Sequence, residues 1–243
     1  MPLSAAARAL LALTLLPLAL AGCVTGQEVA RDLPPGISID FPPGTPARFV
    51  EAAGRIEPMA ETMCRARVRG RNCNFTIALD ARPGQPANAF QTLDPYGRPW
   101  LFVTSALIAK ARNSDELAFV MGHEAAHHIA GHIPRRDSQA REGAMLAGVL
   151  ATQAGASPDE VKRAQQTGAE LAAQSYSKAF ELEADALGAE IAWRAGFDPV
   201  RGAVFFLRLP DPGVTAHGSH PSNAQRRAVV ARVVAALQAG GAV

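Results

Sequence analysis

Charge is sparse in this chain. Charged residues make up 19% of its 243 residues, with 24 Lys and Arg against 22 Asp and Glu, a formal net charge of +2. That balance leaves no electrostatic footprint for nucleic acid, and no nucleic-acid partner is expected. The basic run Arg65 to Arg71 reads as a solvated loop or helix end. Cysteine is rarer still. Cys23, Cys64 and Cys73 have no partner at C-x-x-C spacing, which excludes a cysteine-rich zinc site. Membrane-length apolar runs are also missing. The N-terminal Ala/Leu run is broken by Pro17, and Gly143–Ala156 is too short to span a bilayer, so it reads as core or as membrane-facing surface. There is no internal repeat. Apolar residues, at 48%, are plentiful enough for one substantial domain plus a leader and a tether.

The start of the chain has the three parts of a secretory signal: a weakly basic opening with Arg8 as the only charge before Glu28, an apolar middle and a small-residue end. That end, Leu20-Ala21-Gly22-Cys23, resembles the bacterial lipobox. The resemblance implies a signal peptide over 1–22, lipid on Cys23 as the mature N-terminus, and, with Val24 rather than Asp next, the periplasmic side of the outer membrane. The Pro-rich residues 23–47 then read as the lipidated N-terminus and an extended tether. With Cys23 lipidated, Cys64 and Cys73 are left to pair in an oxidising compartment, for about 2–3 kcal/mol across so short a loop, or to remain two buried thiols.

Beyond the tether, Phe49 to about Met63 has the pattern of a helix. Phe75–Leu79, Asn88–Leu93 and Trp100–Val103 read as strands, with the turn Asp94–Pro99 between the last two. From Thr104 the pattern is helical. Asn113 or Ser114 caps a helix with Asp115 and Glu116 in its first turn, and Gly131 and Pro134 mark its end. Further helices are expected at about Gln139–Gln153, after Ser157-Pro158, at about Lys178–Ala195, after Asp198-Pro199, and over Pro221–Gln238. A few strands followed by many helices make an α+β domain over 48–243.

Four of the six histidines lie between 123 and 132. His123-Glu124-Ala125-Ala126-His127 has the form H-E-x-x-H. On a helix, positions four apart share a face, so both imidazoles reach one metal ion, and Glu124 sits about 100° round, where its carboxylate reaches a water on that ion. The bland alternative is two histidines on an amphipathic surface helix. A catalytic zinc needs a third protein ligand and an open position. His132 lies about 180° from His123 and His128 also points away, so both read as packing, supporting or surface residues. Glu181-Leu182-Glu183-Ala184-Asp185 offers a carboxylate in the form E-x-x-x-D. Glu181 and Asp185 share a face, one to ligate and one to hold the outer nitrogen of a ligating His; Glu183 is the second choice as ligand.

Together these segments resemble the gluzincin zinc metallopeptidases of family forty-eight, which include HtpX, the CAAX prenyl protease, mitochondrial Oma and BepA. The likeness runs from about Phe49 to the C-terminus. It rests on Asn88-Ala89-Phe90, Phe102-Val103-Thr104, the H-E-x-x-H helix, Glu181–Gly188, Ala195–Pro199 and Ser219–Ser222 with Arg226 beyond. The resemblance implies a mainly helical zincin-type domain whose small sheet lends an edge strand to the cleft. It implies one Zn2+ per chain on His123, His127 and Glu181, with Glu124 as general base and Asp185 as partner of His123. It further implies that Asn88-Ala89-Phe90 pairs with substrate backbone and that His220 lies near the metal, as oxyanion stabiliser or occupant of the open position. His220 as a plain helix-start residue, and Arg226 as a structural ion pair, are the alternatives. The segment Gln91 to Pro99 departs from the family's short Gly-rich turn, and the family's multi-span membrane helices and C-terminal helical repeats are missing.

The expected function is zinc-dependent endoproteolysis of unfolded or misassembled envelope proteins, in quality control, by a protein held at the membrane through its lipid. An assembly factor or chaperone using the same groove is the rival reading, and a lipoprotein that only stores or senses metal is a second.

Overall fold

In the computed structural model, residues 33–208 and 221–241 are described, and Pro34 onward forms one unit. The leader and Cys23 lie outside the described residues, as does His220. The sheet has the order β1-β2-β4-β3, with β1 at Ile37–Ser38, β2 at Thr76–Asp80, β3 at Ala89–Leu93 and β4 at Pro99–Thr104. β2 and β4 run parallel in the middle, while β1 and β3 are antiparallel edges. β2 and β4 are almost wholly buried, consistent with their near-continuous apolar runs.

Around the sheet lie α1 (Ala47–Arg67), α2 (Ser105–Lys110), α3 (Ser114–Ala130), α4 (His132–Gln153), α5 (Pro158–Arg194), α6 (Pro199–Gly202), a 3-10 turn at Ala203–Arg208 and α7 (Asn223–Gln238). The α+β reading therefore holds. The caps explain several boundaries. Asn113 accepts from the Glu116 N–H at 3.0 Å to start α3, and Gly131, at φ 70°, ends it in the left-handed conformation that suits glycine. Ser157 with Glu160, and Ser222 with Gln225, form capping boxes for α5 and α7.

Four expectations need correction. The helices expected after Ser157-Pro158 and at Lys178–Ala195 are a single helix of 37 residues, α5. The helix expected from Gln139 starts at His132, immediately after Gly131, with Pro134 in its first turn, where the missing N–H costs nothing. Residues 34–47 of the expected tether lie on the domain: β1 pairs with β2, and Phe41 packs edge-on against Phe49 at 4.7 Å. The Arg65–Arg71 run is only partly solvated, because Arg67 pairs with the buried Glu190 at 2.6 Å and Arg71 is drawn into the end of α3.

The main core gathers α1, the inner strands, α3 and α5 around Phe49, Ile56, Ile77, Leu101, Leu117, Met121 and Ile191. A smaller one joins Phe119, Ala189, Ala203, Phe206, Val230 and Val233. α4 and the first half of α5 form a hairpin packed through small residues: a Cβ added to Gly143 would lie 2.4 Å from the Gly168 carbonyl, and the reverse holds too. The larger apolar residues of α4, Met145, Leu146, Val149 and Leu150, face outward at 49–66% exposure, so this stretch is not core. Among the described residues no helix is long and apolar enough to cross a membrane. Cys64 and Cys73 are joined in a disulfide, with Cα atoms 5.7 Å apart.

Candidate active site

Two helices build the site. α3 supplies His123, Glu124 and His127, and α5 supplies Glu181 and Asp185. They approach closely because two glycines face each other. A Cβ on Gly188 would lie 2.6 Å from the His123 backbone nitrogen, and one on Gly122 would lie 2.7 Å from the Gly188 carbonyl oxygen. No L side chain fits there.

His123 Nε2 and His127 Nε2 are 3.0 Å apart, and the Glu181 carboxylate reaches them at 3.4 and 3.6 Å. A metal bound tetrahedrally at 2.0–2.1 Å needs ligand atoms roughly 3.3 Å apart, so these three fit one ion within a few tenths of an ångström. They are the group that could hold a metal ion among the described residues. Glu183 is not part of it.

The outer atoms of both imidazoles are held. His123 Nδ1 lies 3.0 Å from Asp185 Oδ1. Arg226, on α7, grips Asp185 with two hydrogen bonds, Nε to Oδ2 at 2.8 Å and Nη2 to Oδ1 at 2.7 Å, and its guanidinium covers the Phe206 ring. Its Nη2 also lies 3.7 Å from Glu181, so the ion pair belongs to the site's frame. Burial works to raise the Asp185 pKa, but the bonds from His123 and Arg226 outweigh it and keep the group below the usual carboxylate range. On the other side, His127 Nδ1 lies 2.8 Å from His132 Nδ1. His132 stacks on Phe180 and binds Glu183 at 3.2 Å, and Arg135 holds Glu183 at 2.9 Å. Of the three readings the sequence left open for His132, the supporting one holds; its partner could not be read because His132 lies beyond the helix break at Gly131, where helical phase no longer applies. His128 instead binds the Asn72 carbonyl at 2.7 Å and meets Phe75 edge-on, a packing role.

The Gln91 backbone N–H faces Glu124 and favours its charged form. The Glu124 pKa is raised to about 7, chiefly by burial, with the neighbouring Glu181 adding and His123, Arg226 and the Gln91 N–H opposing. Asn88-Ala89-Phe90 enters the edge strand β3. The Asn88 carbonyl accepts from the Thr104 N–H at 3.0 Å, and the Asn88 N–H donates to Thr104 Oγ1 at 2.9 Å. Asn88 and, by alternation, Phe90 therefore turn their backbone groups to β4, while Ala89 and Gln91 turn theirs to the free edge. The end of α3 is fixed from outside by Arg71, which donates to the carbonyls of His128 and Ile129 at 2.5 and 2.8 Å.

A match to the Peptidase family M48 profile covers residues 51–233. The chain belongs to that family. It is thus a metallopeptidase by family, with a candidate metal site of His123, His127 and Glu181. It is 33% identical over 117 residues to a protein of Vibrio cholerae serotype O1 described as a beta-barrel assembly-enhancing protease. That match covers 44% of this chain and 24% of the relative, so the chain matches only about a quarter of that protein's length. Ste24p of S. mikatae aligns with a TM-score of 0.48 at 17% identity, over 72% of this chain and 49% of that one.

The two imidazoles differ sharply without metal. Burial works to lower both, but hydrogen bonds donated to Asp185 and Glu181 raise His123 to about 9, whereas burial and the charged His123 lower His127 to about 3. A metal must therefore displace about one proton, from His123, at neutral pH. The sign follows: apparent metal affinity rises with pH, about tenfold per unit between pH 6 and 8, and levels off only near pH 9. Chelator competition across that range measures it, and a flat profile would contradict it.

Proposed function

We propose that the protein is a zinc-dependent endopeptidase of the bacterial envelope. The observation that carries this reading is the convergence of His123, His127 and Glu181 on one point, with Glu124 beside it and a free strand edge running past. When bound, zinc supplies Lewis acidity that polarises the scissile carbonyl and lowers the pKa of water. Glu124 takes the proton of the attacking water and hands it to the leaving amine, and a carboxyl titrating near 7 suits both transfers. Asp185 and Arg226 hold His123, and His132 with Glu183 holds His127, so that the ligands need not reorganise. The free edge of β3, at Ala89 and Gln91, binds the substrate as an added strand, with the Gln91 N–H donating to a substrate carbonyl.

Lipid on Cys23 holds the protein at the periplasmic side of the outer membrane, and its substrates are unfolded or misassembled envelope proteins. The name of the Vibrio relative supports this setting, and it equally supports the second reading, an outer-membrane assembly factor that uses the groove to bind. His220 acts close to the metal in this reading. The deciding measurement is metal content and casein cleavage of the purified protein. We expect one zinc per chain, loss of cleavage on chelation and recovery with zinc. A zinc-loaded protein that cleaves neither casein nor any unfolded protein would overturn the reading.

A further inference from the structure

A cavity of about 270 Å³ opens beside His127, on the side away from Asp185. Gln91 and Leu93 of β3, Tyr96 in the following turn, and Ile133 and Pro134 at the start of α4 line it together with His127. Three of these are large apolar residues left exposed: Leu93 at 42%, Ile133 at 38% and Tyr96 at 89%. Apolar side chains brought together in the open next to reactive groups are a usual sign of a binding surface.

Strand geometry says what reaches the cavity. Ala89, Gln91 and Leu93 present their backbone groups to the open edge, and the side chains of Gln91 and Leu93 project to the face that lines the cavity. A peptide added to that edge places its own side chains on the same faces as those of the residues opposite. The side chain that enters the cavity therefore belongs to a residue close to the bond at Glu124 and His127, within about two positions at 3.3 Å per residue.

The lining decides the chemistry. The volume matches roughly nine waters at 30 Å³ each, enough for one large side chain. No Asp or Glu lines the cavity, so a Lys or Arg of the substrate finds no counter-charge. The polar groups at its back are engaged: Arg71 donates to the His128 and Ile129 carbonyls, and the Asn72 carbonyl bonds His128. A Lys or Arg side chain would lose hydration without gaining a partner.

We propose that this cavity is the specificity pocket of the enzyme and that it selects a bulky, uncharged apolar side chain (Leu, Met or Phe) flanking the scissile bond. The proposal rests on the peptidase reading above. Unfolded segments rich in such residues are then preferred over charged ones.

The test is cleavage of a defined peptide library by the zinc-loaded full-length protein, followed by kinetics on a series varying one position among Leu, Phe, Met, Ala, Lys and Asp. We expect kcat/KM for the bulky apolar peptides to exceed that for Ala, Lys or Asp at least about tenfold at one position next to the cut. Leu93→Trp, which fills the cavity, should remove that advantage, cutting kcat/KM for the bulky apolar peptides far more than for the Ala peptide. Tyr96→Ala, at a residue too exposed to threaten folding, should reduce the preference several-fold. A preference for Lys, Arg, Asp or Glu at every flanking position overturns the proposal, as does an equal loss on all peptides in both variants. Failure to cut any peptide with zinc bound removes the peptidase reading, and the pocket with it.

Discussion

Glu124→Gln is expected to keep the metal and the fold and to lower kcat/KM for peptide cleavage by a factor on the order of 10² to 10⁴. The amide has the shape of the carboxyl but accepts no proton near neutral pH. It is not among the three groups that converge on the metal point, so metal content should not change. It also removes a group that burial pushes up to about 7, so the acidic limb expected of the parent's pH–rate profile should be lost. Retention of more than about a tenth of the parent activity would mean that another group carries the proton. The same variant separates hydrolysis from binding. If it supports envelope assembly in cells as well as the parent does, the groove serves chiefly to hold its clients.

Gly188→Ala is expected to damage the fold and the metal site together. The added carbon would lie 2.6 Å from the His123 nitrogen and 2.8 Å from its Cα, and backbone atoms cannot swing aside as a side-chain end can. The helices α3 and α5 must part, and with them His123 and Glu181. Overpacking of this kind costs about 3 kcal/mol or more, a fall in Tm of roughly 6–12 °C for a domain of this size. Zinc affinity should fall at least about tenfold, because the ligand spacing is set by the helix separation. Gly54→Ala is the control. Its added carbon meets nothing within 4 Å on the exposed side of α1, and the change should stabilise by about 0.5–1 kcal/mol. An unchanged Tm and zinc affinity in Gly188→Ala would show that the close approach of the two helices does not set the site.

The parts legible in the sequence were those written in local chemistry. Asn113 and Gly131 bounded the metal-site helix, strand alternation located β2 to β4, and the i, i+4 spacing put His123 with His127 and Glu181 with Asp185. The parts missed depend on contacts across the fold. The 37-residue α5 was divided because its first half buries only small residues against α4 and so lacks a strong apolar stripe. β1 is two residues long and exists only by pairing with β2. His132 joined the site because α4 leaves Gly131 at an angle that brings its first residue back to His127, and helical phase carries no information across such a break. Gly122 and Gly188 carry no local signal; only the pairing of two helices far apart in sequence shows why a side chain is excluded.

The disulfide has a bearing on how firmly the metal ligands are held. Arg71 sits inside the ten-residue loop closed by Cys64 and Cys73, and its guanidinium latches the last turn of the helix that carries His127. With the pair reduced, the latch would hang on a freer loop, so the disulfide tightens the turn that seats His127.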